Sequence, residues 1–137
     1  MRRFASLIFA ATFGVMSHAA FAQTASRPTA LVLCLGKTAV RPSQVTITCA
    51  DANLYAQHLK WTGWGQPFAA AVGDMSINLC TPTCVAGKFE TFHTVLIASH
   101  ARHCSNGVVA YDTLQYAFLG RAPKGWVPDT EPIAYRC

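Results

Sequence analysis

The sequence has little charge: Asp, Glu, Lys and Arg make up 12% of its 137 residues, and only six of these are acidic. The eleven basic residues are scattered, with no run of Lys or Arg and no stripe of interleaved basic and aromatic residues. Proteins that bind nucleic acid concentrate positive charge on one face or along one segment. We therefore expect no nucleic-acid partner.

Motifs for common enzyme chemistry are also missing. The chain has no G-x-S-x-G nucleophile elbow and no glycine-rich phosphate loop. Its few carboxylates stand in no recognisable motif, and nothing marks a nucleophile that would act with one of its histidines. The sequence therefore identifies no catalytic residue and no cofactor. It favours a non-enzymatic role over a small secreted hydrolase or metal-dependent enzyme.

Long apolar runs are absent after the N-terminus. Two arginines precede apolar residues 4–16, a stretch shorter than the roughly 20 residues of a bilayer span, and "AAFAQ" at 19–23 matches a signal-peptidase site. We predict a signal peptide over 1–22 and one mature domain over 23–137, secreted or periplasmic and without a membrane anchor. Removal of the two arginines leaves nine basic residues against six acidic ones, a net charge of about +3.

Cysteine is abundant, with all six residues in the predicted mature chain. An even number of cysteines in an exported protein predicts disulfides. Zinc would need a second ligand pair beside "CTPTC" at 80–84, and the candidate is "HARHC" at 100–104 with His100 and His103. A redox pair would use C-x-x-C instead. We therefore interpret the cysteines as staples and expect no bound metal; they are Cys34, Cys49, Cys80, Cys84, Cys104 and Cys137.

Spacing alone does not fix the pairing of the cysteines, but their positions in the chain favour one set of bonds. The first two cysteines end two strand-like runs joined by a turn, which favours Cys34–Cys49. Cys80–Cys84 closes a short loop. A tail rich in Pro and Gly, over about 120–137, would fray unless it were tied down, which favours Cys104–Cys137. Exchanges among Cys49, Cys80 and Cys84 remain open, because six cysteines allow about 15 pairings.

Alternation and turn residues predict an all-β fold. Strands are predicted over 44–51 and 30–35, and also over 55–61, where one face of a capped helix is the alternative. Two further strands, 68–73 and 75–80, are predicted to meet at a turn at Gly73-Asp74, and one long strand is predicted over 88–100. Asn106-Gly107 predicts a type I′ hairpin leading into a last strand that begins at 108. We expect a small antiparallel sandwich or barrel of about seven or eight short strands.

Two features suggest a binding surface. Trp61 and Trp64 in "WTGWG" are predicted to point to opposite faces of an extended chain, with Trp61 buried and Trp64 exposed to a glycan or protein. The spacer Thr81, Pro82 and Thr83 would be a rigid loop held by its flanking cysteines. The sequence therefore predicts a secreted binding or structural module, with a cell-envelope glycan or secreted protein as partner. The first alternative is an inhibitor of a secreted or periplasmic hydrolase.

The ordered set "RPSQVTITCADANLY", "WTGWG", Gly73 and "NLCTPTCVAG" resembles a widespread group of small secreted bacterial proteins, best known from actinobacteria. The resemblance covers roughly residues 34–104. It implies export, disulfides and an all-β fold, and it assigns no catalytic residue. Thr83 and Val85 replace the Asn and Ala that are common in the group, and the end of the chain at Cys137 is not part of the pattern.

Overall fold

The computed structural model describes residues 27–126 and 132–137. The predicted signal peptide, 1–22, and part of the predicted Pro-rich tail lie outside these ranges. Within the described ranges, no helix has the length and apolar character needed to cross a membrane.

Over the described residues, eight β-strands form one sheet, in the order β2-β1-β7-β6-β5-β4-β3 with β8 paired to β7. Neighbouring strands are antiparallel except that β1 runs parallel to β7, so the sheet is mixed. The prediction of an all-β fold with seven or eight strands is confirmed. In chain order the strands are β1 (Ala30–Val32), β2 (Thr38–Ala39), β3 (Val45–Thr46), β4 (Leu54–Thr62), β5 (Phe68–Asn78), β6 (Phe89–His103), β7 (Val109–Phe118) and β8 (Ile133–Ala134), with a 3-10 turn at Cys34–Gly36.

The strand β5 is continuous, so the predicted turn at Gly73-Asp74 is wrong. Gly73 and Asp74 pair with Thr94 and His93 in an uninterrupted ladder between β5 and β6. Glycine is required for another reason: a Cβ at Gly73 would lie 2.6 Å from the carbonyl oxygen of Gln57, at a bulge in β4. A glycine that marks close backbone approach therefore resembled a turn signal in the sequence.

Other strand predictions fare differently. The strand alternative for 55–61 is confirmed as β4, and the long strand is confirmed as β6. The strand predicted over 44–51 ends already at Thr46, because the chain turns there and the amide of Ala52 donates to the carbonyl of Thr48. The hairpin after β6 is present, but its turn is not type I′. Gly107 has a positive φ of 80° and Asn106 does not.

Most of the buried side chains of the central strands lie on one face of the curled sheet. On the central strands they alternate with exposed ones, so that Ala69, Ala71 and Met75 of β5 are buried while Phe68 and Val72 are exposed. The core also contains Leu96 of β6, Leu114 and Tyr111 of β7, and all of β1. This alternation is what a half-buried antiparallel strand requires.

Covalent and polar links join the two edges of the sheet. The disulfide Cys34–Cys49 connects the segment after β1 to the segment after β3. The hydroxyl of Tyr135, which follows β8, donates to the carbonyls of Thr46 and Ile47 at 3.4 and 3.3 Å. The other two disulfides are Cys80–Cys84 and Cys104–Cys137, so all three bonds agree with the predicted pairing.

Candidate binding loop

The loop 79–88 connects β5 to β6; the amide of Leu79 donates to the carbonyl of Lys88 at its base, and within it the disulfide Cys80–Cys84 brings two Cα atoms to 3.8 Å. Thr81, Pro82 and Thr83, the residues predicted to bind a partner, are all exposed. Val85 is 99% exposed and Leu79 is 39% exposed. The loop therefore presents the apolar side chains of Leu79, Pro82 and Val85 to solvent.

The buried amide of Asn78 holds both ends of this loop. Its Nδ2 donates to the carbonyl of Cys84 at 2.8 Å, and its Oδ1 accepts from the amide of Cys80 at 3.0 Å. The same Nδ2 also donates to Oδ1 of Asn53 at 2.9 Å. Gly87 is needed at this point, since a Cβ there would collide with Oδ1 of Asn78. One side chain therefore fixes the loop at the end of β5.

A turn that contains Asp51 and Asn53 holds Asn78 in place through hydrogen bonds. Asp51 accepts the backbone amide of Asn53 at 3.1 Å and its side-chain Nδ2 at 2.8 Å, and the carbonyl of Asn53 accepts the amide of Asn78 at 2.9 Å. The backbone bond from Asn53, followed by the side chains of Thr48 and Asn53, lowers the pKa of Asp51 below its ordinary value. A continuous series of hydrogen bonds therefore runs from Asp51 through Asn53 to Asn78, where the loop begins.

Two threonines of the loop use their hydroxyls locally. Thr81 donates to the carbonyl of Leu79 at 3.1 Å, and Thr83 accepts the amide of Ala86 at 3.2 Å. These bonds stiffen the loop, and Pro82 and Val85 are exposed side chains next to the bonded threonines that a partner could contact. Sequence reasoning missed Asn78 and Val85. "CADAN" and the Asn before "LC" are the sequence signals for these turns, because Asp and Asn side chains bond nearby backbone groups.

Trp61 and Trp64 lie together, and the prediction that they face opposite ways is wrong. Their ring centroids are 5.1 Å apart in an edge-to-face arrangement, and both are half-buried against the core. Trp61 donates through Nε1 to the carbonyl of Pro42 at 2.8 Å, and Trp64 to that of Thr29 at 3.2 Å. Alternation fails because β4 ends at Thr62 and the chain then bends at a glycine.

A buried carboxylate lies near the far end of β6. Asp112, with 2% of its side chain exposed, accepts from Nδ1 of His100 at 2.6 Å and from Nε of Arg102 at 2.5 Å. The hydroxyl of Thr113 adds a third bond at 2.9 Å. Burial raises the pKa of Asp112, but the hydrogen bonds from Arg102, His100 and Thr113 outweigh it and hold that pKa below its ordinary value.

A second histidine cluster lies on the exposed face of the sheet. Asp74 of β5 accepts from Nδ1 of His58 at 3.0 Å and from Nδ1 of His93 at 3.3 Å. These two bonds, His58 first, lower the pKa of Asp74. His58 is the residue of the β4 bulge with a positive φ of 56°, which turns its ring toward the neighbouring strand.

The metal candidates His100 and His103 have different surroundings. His100 binds Asp112, whereas His103 is exposed and pairs in register with Val109. Over residues 27–126 and 132–137, no group of three or more His, Cys, Asp or Glu side chains is arranged to hold a metal ion.

No protein-family model, no curated protein and no solved structure matches this chain. The fold and the loop define a small disulfide-rich β domain with a rigid exposed loop.

Proposed function

We propose that this protein is a secreted binding module that uses the loop 79–88 to dock into a concave, apolar surface of a secreted or cell-envelope protein. The single observation that carries the proposal is the fixing of the loop by Asn78 and Cys80–Cys84 while Val85 stays 99% exposed. A loop that is rigid before binding loses little conformational freedom on association, which strengthens binding.

Composition supports a protein partner over a polyanion. Lys88 is the one charged residue of the segment 79–88, and Leu79, Pro82 and Val85 are exposed apolar side chains in it. An exposed, nearly uncharged loop matches an apolar cleft. The glycan alternative depended on an exposed Trp64, which instead packs against Trp61 and Tyr111.

Export and family membership are part of the same proposal. Three disulfides and no membrane-spanning helix in the described ranges are consistent with an extracellular location. Within the pattern shared with small secreted bacterial proteins, Asp51 and Asn53 support Asn78, Gly73 admits the bulge, and Gly87 admits the Asn78 amide. These roles are structural, which supports a scaffold of this kind with variable loop residues such as Thr83 and Val85.

Inhibition of a secreted hydrolase is the second candidate, favoured by one observation. The disulfide Cys80–Cys84 spans the exposed residues Thr81, Pro82 and Thr83, so cleavage within them would leave the two ends covalently joined. Such a loop would stay in a protease cleft as an inhibitor and not leave as a product.

The test uses a photo-crosslinking residue in the exported protein. Placed at position 85, it should join one specific envelope or secreted partner, and unlabelled wild-type protein should compete. Val85→Asp should lose the competition. Val40→Asp is the matched control, because Val40 is 69% exposed and lies outside the loop.

The outcomes separate the candidates. Equal competition by both variants, or the same products from positions 40 and 85, would refute the loop as the contact surface. An identified partner that is a hydrolase and loses activity on binding would support the inhibitor candidate. A partner whose activity is unchanged would support a plain binding module.

A further inference from the structure

Two basic side chains share one buried carboxylate at the end of β6 that is distant from the loop 79–88. Asp112 fixes His100 through Nδ1 and Arg102 through Nε, and it is itself almost inaccessible to solvent. Because a carboxylate without its proton only accepts hydrogen bonds, Nδ1 of His100 carries the hydrogen. The carboxylate of Asp112 therefore holds both side chains in position.

The outward-facing atoms of this pair are available. The His100 side chain is 65% exposed and that of Arg102 is 43% exposed. Among the described residues, the structure gives Nε2 of His100 and the terminal guanidinium nitrogens of Arg102 no hydrogen-bond partner. The two residues lie two positions apart on one strand, so the guanidinium donors of Arg102 lie near Nε2 of His100, which accepts a hydrogen bond when the ring is neutral and donates one when it is protonated.

The backbone at this point is strained. His100 has φ of 58°, a left-handed conformation that is uncommon for residues other than Gly, although His, Asn and Asp adopt it more often than the rest, and the register pairs on either side of it are Ser99 with Thr113 and Ala101 with Tyr111. Strain of this kind persists only where the surrounding structure imposes it, and it clusters at functional positions.

The local charge favours an anion. Between residues 91 and 126 the sequence contains one acidic residue, Asp112, and three Lys or Arg residues, so this part of the chain is net positive even though Asp112 pairs with Arg102. A guanidinium and a protonated imidazole side by side donate to oxygens in different planes, which suits a tetrahedral phosphate better than a flat carboxylate.

We infer that His100 and Arg102 form a binding site for a phosphate group, separate from the proposed binding loop. The phosphate could be inorganic or part of a phosphodiester polymer, since both offer the same oxygens. Asp112 is a positioning residue for this site, and it does not contact the ligand.

NMR of the isotopically labelled, exported protein tests the site near pH 6, where ordinary histidines are partly protonated. Inorganic phosphate is titrated at constant ionic strength against sodium chloride. We expect saturable shifts of the His100 ring and the Arg102 Nε–H resonances with a Kd of about 1–10 mM. Dimethyl phosphate in a second titration distinguishes a diester ligand, and acetate tests for a carboxylate.

Two variants with the same charge change provide the control. Arg102→Gln should weaken phosphate binding about tenfold. Arg121→Gln should leave it unchanged, because Arg121 pairs with Glu90 at a different part of the sheet. Should Arg102→Gln fail to fold, Arg102→Lys keeps the charge and should weaken binding about threefold, since lysine lacks the fork of donors.

Each result bears on the inference. Saturable binding of inorganic phosphate alone supports a free-phosphate site, and binding of both phosphates supports a polymer ligand. The absence of a saturable shift at His100 in the wild-type protein would overturn it. Equal weakening by Arg102→Gln and Arg121→Gln, or tighter binding of acetate than of phosphate, would overturn it as well.

Discussion

Replacement of Asn78 by Ala should loosen the loop 79–88 and destabilise the whole domain. The substitution removes three hydrogen bonds, to Asn53, Cys84 and Cys80. Each such bond contributes about 0.5–1.5 kcal/mol net, so we expect a loss of about 2–4 kcal/mol in the free energy of unfolding. A few kcal/mol is a large fraction of the stability of a small domain.

Urea denaturation of the oxidised protein, followed by tryptophan fluorescence, measures this loss. Hydrogen exchange at the amide of Cys80 provides a local readout, because Asn78 is its acceptor. Asn106→Ala is the matched control: its side chain is exposed and accepts one bond, from Val108 at 3.1 Å. We expect that variant to lose at most about 1.5 kcal/mol.

The substitution Asn78→Asp tests the direction of the same bonds. The carboxylate keeps the acceptor for Cys80, but it places an oxygen against the Cys84 carbonyl and Oδ1 of Asn53, where an amide donor is needed. At neutral pH this variant should be at least as unstable as Asn78→Ala. A loss below about 0.5 kcal/mol for either variant would refute the anchoring role of Asn78.

Three further outcomes are expected. Gly73→Ala should cost about 1–3 kcal/mol in urea melts and shift the His58 resonances, because its Cβ would meet the Gln57 carbonyl. Burial raises the pKa of Tyr135 to about 12, so the tyrosine hydroxyl stays protonated in the folded state above its unfolded pKa of about 10, and stability should fall as pH rises from about 10 to 12. Tyr135→Phe should remove that part of the alkaline loss in melts at stepped pH. The lowered pKa of Asp112 stabilises the folded protein above the ordinary carboxyl pKa of about 4, and this stabilisation is lost as the pH falls below that value. In Asp112→Asn the free energy of unfolding should therefore depend less on pH in this range. The same pH dependence in the variant and the wild-type protein would contradict the reasoning.

Local patterns in the sequence determined the class of fold. Strands β4, β6 and β7 carry enough alternating apolar residues to be recognised without a structure, because side chains alternate between the faces of a strand with a period of two. Two of the disulfides could also be predicted from the sequence, because Cys34–Cys49 and Cys80–Cys84 each join cysteines that are near one another in the chain. Features that depend on residues close together in the chain can therefore be predicted from the sequence.

Tertiary structure alone decided which distant side chains meet. Asn53 and Asn78 are 25 residues apart and come together because β4 and β5 pair in one register. His100 and Asp112 meet across β6 and β7 for the same reason. A shift of register by one residue would move each side chain to the other face, and the sequence does not specify that register. The close pair of Trp61 and Trp64 likewise depends on where β4 ends and on the hydrogen bonds of the two indoles to the carbonyls of Pro42 and Thr29, which alternation does not predict.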